Sequence, residues 1–290
     1  MMRIFFFSVL TFWHISHAAT AEPLRVLTDI APVQSLVAMV MGNVGIPGVL
    51  LDGNDDPHHV QLRPSQVRAI ARADLVFWVG EPLTPWLADP LKSIVRPGAA
   101  NAMLKVPGTT LLYFDKAQVD PHAWLDPENA RLWVDAIATS LASADPVHSD
   151  TYRTNANRAK IILSDLTVRA HKSLNGVQGG NLITAHDSLG YFANRFNLTI
   201  MATLADGEAA APGPAHISAL RKLIANNDIA CVVSDYGQPD DRIRTLTDGF
   251  SVQSIPLDTS GALLPAGPTL YPDMIRAMAD AMSGCVASQR

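Results

Sequence analysis

Apolar and polar positions along the chain alternate between two periods. Residues 24–28 form a short apolar run of strand type, and residues 31–41 follow with an apolar-rich helical pattern. Residues 44–51 read as a second strand, interrupted by glycine and proline. Pro64 and Ser65 then open a helix to residue 73 with Val67, Ile70 and Ala71 on one face, and residues 75–79 form a buried strand. The rhythm restarts late in the chain, with strands at 182–184, 198–203, 229–234 and 251–257 and a helix at 215–226. Strand–helix–strand order of this kind predicts an α/β class built on mostly parallel sheets covered by helices.

Between the two α/β halves lies a long stretch, residues 145–174. Tyr152, Ala156, Ala159, Ile162, Leu163, Leu166 and Ala170 fall in it near helical spacing. Asp145 suits an N-cap with Pro146 at N1, and Asn175-Gly176 suits a C-cap. An unbroken helix there would run about 43 Å, enough to span a two-lobed molecule; a kinked surface helix is the alternative. The division that follows is an N-terminal lobe at 22–144, a connecting helix at 145–175 and a C-terminal lobe at 176–290.

The first 21 residues differ from the rest: Arg3 is their one charged residue, and an apolar run from Ile4 to Trp13 precedes small-residue cleavage patterns. That is the pattern of a cleaved secretory signal, too short for a membrane span, and it implies an exported, periplasmic protein. The formal charge of −5 comes without basic runs, which argues against nucleic acid or an anionic membrane surface as partner. In an oxidising compartment the two cysteines, Cys231 and Cys285, read first as a disulfide stapling the C-terminal part.

Of nine histidines, His14 and His17 leave with the signal. His58 lies after the second strand, and His122 lies in a proline-bracketed turn ahead of a helix from Glu128. His186 stands at the carboxyl end of a strand, where open α/β sheets bind ligands. Three neutral imidazoles suit Zn2+, Cu2+ or Ni2+ better than Mn2+ or Ca2+, but spacing alone does not bring these three together. His59 would point away if His58 points in, and His148, His171 and His216 read as solvated. Trp78 and Trp124 read as packing around the cleft. Asp120, Asp126 and Asp187 suit either of two tasks, orienting an imidazole or capping a turn.

Several segments resemble one family. Leu62-Arg63-Pro64-Ser65, the run from Ala73 to Gly80, the run from Asp120 to Asn129 and the run from His186 to Phe192 are similar to the cluster A-I solute-binding proteins of ABC importers, zinc-uptake (ZnuA-like) type. Ala230-Cys231-Val232 and the region from Leu257 to Pro272 fit as well, so the likeness covers nearly the whole mature chain. The resemblance implies two α/β lobes joined by a rigid long helix, with a metal ion in the interlobe cleft. It implies His58, His122 and His186 as ligands, with Asp258 as the fourth, and a C-lobe disulfide between Cys231 and Cys285. A histidine at 186, where manganese-type relatives carry glutamate, favours zinc. The chain departs from the pattern twice: Pro57 stands where some zinc-type members have an acidic residue, and the segment from Tyr113 to Asp120 is short and holds no histidine.

The function so implied is a periplasmic receptor, not an enzyme, that binds Zn2+ as transported ligand and delivers it to an ABC-type membrane permease. It would act as a monomer, with a periplasmic zinc chaperone as a second partner. The alternatives are a receptor of the same family for Mn2+ or another divalent metal, a zinc hydrolase, and a metal-dependent adhesin. A hydrolase would need an open coordination position and a placed base, and neither an HExxH motif nor a nucleophile elbow is present. An adhesin would need a surface tether. Protonation of the imidazoles below their reference pKa of about 6.5 should weaken metal binding. Residues 206–214, rich in Gly, Ala and Pro, are a candidate mobile loop for release.

Overall fold

The computed structural model describes residues 24–51, 53, 55–114, 118–177, 180–205, 213–226, 229–237 and 241–287. The signal segment and residues 206–212 of the candidate loop lie outside them.

Short buried runs build two four-stranded sheets. In the N-terminal lobe β1 (Val26–Thr28), β2 (Gly48–Val49), β3 (Leu75–Trp78) and β4 (Ala100–Ala102) lie in the order β2-β1-β3-β4, every pair parallel. In the C-terminal lobe β5 (Asn181–Thr184), β6 (Thr199–Thr203), β7 (Cys231–Asp235) and β8 (Gln253–Leu257) repeat that plan as β6-β5-β7-β8, again all parallel. Each sheet reverses its strand order beside its first strand, and the crevice outside the carboxyl ends at such a reversal is where α/β sheets hold ligands.

The helices in chain order are α1 (Ala31–Met41), α2 (Pro64–Arg72), α3 (Pro85–Ile94), α4 (Pro127–Ala144), α5 (Ser149–Leu174), α6 (Gly190–Phe196), α7 (Pro214–Ala225), α8 (Asp241–Thr247) and α9 (Leu270–Ala287). Proline opens α2, α3, α4 and α7, where its missing N–H costs nothing. In α2, Gln66 accepts from the Arg63 N–H at 2.8 Å and donates to the Leu50 carbonyl at 2.7 Å, which ties the helix start to the end of β2. Helix α1 is buried almost all round, since it packs on β1 and also against α4, α5 and α9.

The connecting helix differs in its first turn from the sequence expectation. Residues Pro146–His148 form a 3-10 turn, and α5 proper has 26 residues, about 39 Å. Its buried stripe is Tyr152, Ala156, Ala159, Leu163, Leu166, Ala170 and Leu174, while Ile162 falls off the stripe and is half exposed. Asp145 does not cap the helix. Its carboxylate instead takes the Tyr152 hydroxyl at 2.8 Å and His148 Nδ1 at 2.6 Å. One core cluster runs from the N-terminal sheet through α4, α5 and α1 to α9 and β7, so the lobes share packing. A smaller cluster under α7 and α8 belongs to the C-terminal lobe.

Cys231 on β7 and Cys285 on α9 are joined in a disulfide, 54 residues apart in sequence. Reducing that bond, or replacing both cysteines by serine, should cost about 4 kcal/mol on the chain-entropy relation. A thermal melt with and without reductant checks this, with the double variant insensitive to reductant.

Burial alone would raise the Asp145 carboxyl, but the hydrogen bonds from Tyr152 and His148 and the nearby imidazole charge hold it below the ordinary carboxylate range. Its contribution to stability is therefore present above the unfolded carboxyl pKa and lost as pH falls through the lower folded value. Asp145→Ala should lose on the order of 1–2 kcal/mol at pH 7. Urea denaturation at pH 7 and pH 3 would find its stability less sensitive to acid than that of the wild type.

Candidate metal centre

Three connections at the carboxyl ends of the sheets carry the histidines. His58 sits in the loop between β2 and α2, where its N–H donates to Asp56 Oδ1 at 2.9 Å. The Pro57 carbonyl ahead of it accepts from Trp86 Nε1 at 2.8 Å, so the loop is gripped on both sides. The other oxygen of Asp56 draws His59 outward, 3.1 Å from its Nδ1, and leaves that ring exposed as the sequence suggested.

His122 precedes a 3-10 turn, Ala123–Leu125, and is almost fully buried. Asp120 Oδ1 accepts from the His122 N–H at 2.9 Å and stands 2.8 Å from its Nδ1. An ionised carboxylate can only accept, so Nδ1 carries the hydrogen and the Nε2 lone pair is left for an ion. Asp120 thus meets both readings of it: it caps the turn through the His122 N–H and lies against the Nδ1 edge of the ring. His186 follows β5 in the C-terminal lobe.

These side chains converge. His58, His122 and His186 each offer a ring nitrogen, and the three nitrogens all lie within 4.8 Å of one another. The ring centroids are 5.1 Å apart for His122 and His186, 5.8 Å for His58 and His122, and 6.3 Å for His58 and His186. A tetrahedral zinc with Zn–N bonds of about 2.0–2.1 Å needs nitrogens about 3.4 Å apart, so a modest contraction would seat it. The donor set fits a borderline-soft divalent ion.

Asp258 is not part of this group. Its Oδ1 accepts from the backbone N–H of Ser260, Gly261 and Ala262 at 3.2, 2.7 and 3.0 Å, and its Oδ2 accepts from Leu263 N–H at 2.8 Å. It therefore shapes the loop after β8 as a carboxylate wrapped in backbone donors. That loop meets the His58 side of the cleft. Ser260 Oγ donates to the Gly53 carbonyl at 2.9 Å, and a Cβ on Gly53 would stand only 2.6 Å from Ala262 Cα, so no larger residue fits there.

The remaining sequence assignments resolve one by one. Trp124 packs on His122 with ring centroids 5.2 Å apart, and its Nε1 donates to the Thr259 carbonyl at 2.9 Å. Asp126 caps α4 by accepting from Glu128 N–H at 2.9 Å, and Asp187 lies in the turn after His186. The three histidines read as solvated all have partners. His148 pairs with Asp145, His171 packs edge-on against Phe196 at 4.9 Å, and His216 Nε2 lies 2.8 Å from the Thr203 carbonyl. His171 is nonetheless exposed, as read, while His148 and His216 are partly buried.

A partly buried ion pair spans the lobes beside the site. Arg195 on α6 grips Asp126 with both ends of its guanidinium, Nε to Oδ1 and Nη2 to Oδ2, each at 2.7 Å. Asp126 is fully buried, and its hydrogen bonds and charge hold the Arg195 proton more tightly than usual. Tyr191 adds a second tie: its hydroxyl donates to the Asp120 carbonyl and accepts from Leu112 N–H, both at 2.9 Å. The start of α6 approaches so closely that a Cβ on Gly190 would stand 3.0 Å from Asp120 Oδ2.

With this geometry the chain can be placed among known proteins. Residues 26–285 match the family described as zinc-uptake complex component A, periplasmic. The chain belongs to that family. It is 31% identical over 306 residues to the high-affinity zinc uptake system protein ZnuA of Paracoccus denitrificans (strain Pd 1222), an alignment covering 93% of this chain and 94% of the relative. The protein of the same description from Brucella suis biovar 1 (strain 1330) is 27% identical over 305 residues, covering 90% and 91%. Among solved structures, a crystal structure of ZnuA superposes with a TM-score of 0.80 at 22% identity, over 91% of this chain and 99% of the other. The solute-binding protein FpvC of Pseudomonas aeruginosa in complex with Mn2+ also reaches 0.80, at 20% identity over 93% of this chain and 100% of that one. A laminin-binding adhesin from Streptococcus agalactiae gives 0.78 at 22%, over 91% and 99%. The family fold of two parallel-sheet lobes with a long helix between them is therefore present here.

Arg195→Ala would leave the Asp126 carboxylate buried and unpaired, which costs about 3–5 kcal/mol. Urea denaturation of the variant should show that loss, whereas a surface arginine of comparable size, Arg153, should shift the midpoint little when replaced by alanine.

Proposed function

We propose that the chain is an exported periplasmic receptor that captures Zn2+ with His58, His122 and His186 and delivers it to an ABC-type membrane permease. The observation that carries the reading is the convergence of three imidazole nitrogens from both lobes within 4.8 Å. Family membership supports it, as do the zinc-uptake names of the relatives. No helix among the described residues is long and apolar enough to cross a membrane. The receptor works as a monomer and performs no catalysis.

The donor chemistry supports zinc over manganese. Three imidazoles form a borderline-soft set, and an all-oxygen or glutamate-containing set suits manganese better. The fourth position goes to water while the Asp258 loop keeps its hydrogen bonds, and to Asp258 once that loop opens toward the cleft. Cargo leaves when the permease separates His186 from the two N-terminal ligands, since a site closed by both lobes releases slowly when undisturbed. A periplasmic zinc chaperone, if one serves this receptor, must dock without a His-rich loop, because residues 113–120 carry no histidine.

Competition of the purified mature protein against a chromophoric chelator tests the reading. One zinc should bind per chain, and each of His58→Ala, His122→Ala and His186→Ala should weaken it at least 100-fold while the fold melts as before. A preference for Mn2+ over Zn2+ would overturn the metal assignment, and unchanged binding in His186→Ala would overturn the three-histidine site.

A further inference from the structure

The carboxyl ends of β5 and β7, the two strands flanking the reversal in the C-terminal sheet, lie side by side. Their register pairs Thr184 with Val233, and Ala185 N–H donates to the Val233 carbonyl at 2.7 Å. Two residues further on, His186 therefore faces Asp235. Asp235 Oδ2 stands 3.8 Å from His186 Nδ1, and both side chains are about three-quarters buried. The backbone around Asp235 is fixed on its other side as well, by pairing with Leu257 and by the Tyr236 N–H bond to the Leu257 carbonyl at 2.9 Å.

Asp235 is chemically unlike Asp258. Among the described residues its carboxylate accepts no hydrogen bond, although its side chain is about three-quarters buried. A desolvated carboxylate without donors is costly unless a partner arrives. The N-terminal lobe displays the completed version of the same arrangement, with Asp120 on the Nδ1 edge of His122 at 2.8 Å. In the C-terminal lobe the distance is 1 Å longer than a hydrogen bond, which a small turn of the imidazole or carboxylate closes.

We infer that Asp235 is the positioning carboxylate of His186, taking its Nδ1 hydrogen and holding Nε2 toward the ion, as Asp120 does for His122. The inference rests on the three-histidine reading above. It assigns each lobe one carboxylate–imidazole pair, so that two buried carboxylates offset the double charge of the ion while the bound imidazoles stay neutral. A monovalent cation would leave one of those charges uncompensated, and a neutral solute both. Asp235 also raises the basicity of His186, as orienting carboxylates do for metal-bound imidazoles.

The test uses the mature protein with zinc, comparing Asp235→Ala and Asp235→Asn with His186→Ala. Chelator competition should show zinc affinity reduced about 10–100-fold in Asp235→Ala. Asp235→Asn, which keeps a carbonyl acceptor in the same shape, should recover part of that loss and serves as the decisive variant if the alanine protein does not fold. Long-range 1H–15N spectra of the zinc-loaded wild type should show His186 bound through Nε2 with a hydrogen on Nδ1, and that Nδ1–H signal should move upfield in both Asp235 variants. Affinity within twofold of wild type in both variants, or a His186 bound through Nδ1, would overturn the assignment. If His186→Ala loses zinc while the Asp235 variants keep it, only the positioning role falls. If His186→Ala also keeps zinc, the site itself falls.

Discussion

Three side chains from three separate connections, two in one lobe and one in the other, can share an ion only if the lobes hold a fixed relation. The Asp126–Arg195 ion pair is the interaction on which that relation turns. It is bidentate, buried on its Asp126 side, and placed between the turn that carries His122 and the helix that follows His186. Asp126 also caps α4, so one carboxylate sets the start of a helix and the docking of the opposite lobe. Around it, Tyr191 reaches Asp120 and Leu112, and Tyr271 on α9 donates to the Trp124 carbonyl at 2.7 Å while its backbone N–H reaches Ser35 on α1 at 3.0 Å. Two of these ties, to the Asp120 and Trp124 carbonyls, end within two residues of His122. The packed face of α5 lies behind them, so the cleft is framed by a continuous core and not by a bare hinge.

Such framing has a consequence for how cargo is handled. A receptor whose lobes are joined through a shared core has little room for wide opening, so its ligand geometry is largely set before the ion arrives. The histidines and the groups beside them sit on short connections: residues 55–59 around His58, the turn after His186, and the loop shaped by Asp258. The fold itself does not choose the metal. It is shared with a manganese complex and with a laminin-binding adhesin at TM-scores of 0.80 and 0.78, so selectivity must come from the donor atoms and the groups behind them.

Much of the architecture was readable from the chain alone, because strand and helix periods, proline starts and caps are local signals. The bounds of α1 coincide with the sequence reading, and β5, β6, β7 and β8 differ from it by one or two residues. Strand β4 and helices α3, α6, α8 and α9 were not among the elements read from the sequence. Pro90 lies inside α3 and Pro272 in the opening turn of α9, where proline is tolerated, and α6 and α8 span only seven residues each. The second strand shrank to two residues, since its glycine and proline leave few groups to pair.

The candidate ligands His58, His122 and His186 were nameable from motif and placement, and so was the Cys231–Cys285 pair. Their convergence was not, because it depends on sheet register and on two lobes docking, neither of which any local pattern encodes. The same holds for the carboxylates. Asp120 was read as orienting an imidazole or capping a turn and Asp258 as a fourth ligand; in the fold Asp120 lies on the His122 ring and Asp258 is enclosed by backbone donors. Asp235 carried no signal beyond ending a strand, and it gained meaning only when parallel pairing set it opposite His186. The sequence by itself determined which side chains could bind a soft divalent ion and which segments would become strands and helices. Tertiary structure decided which of them meet, since contacts between residues far apart in the chain depend on the packing of the whole molecule.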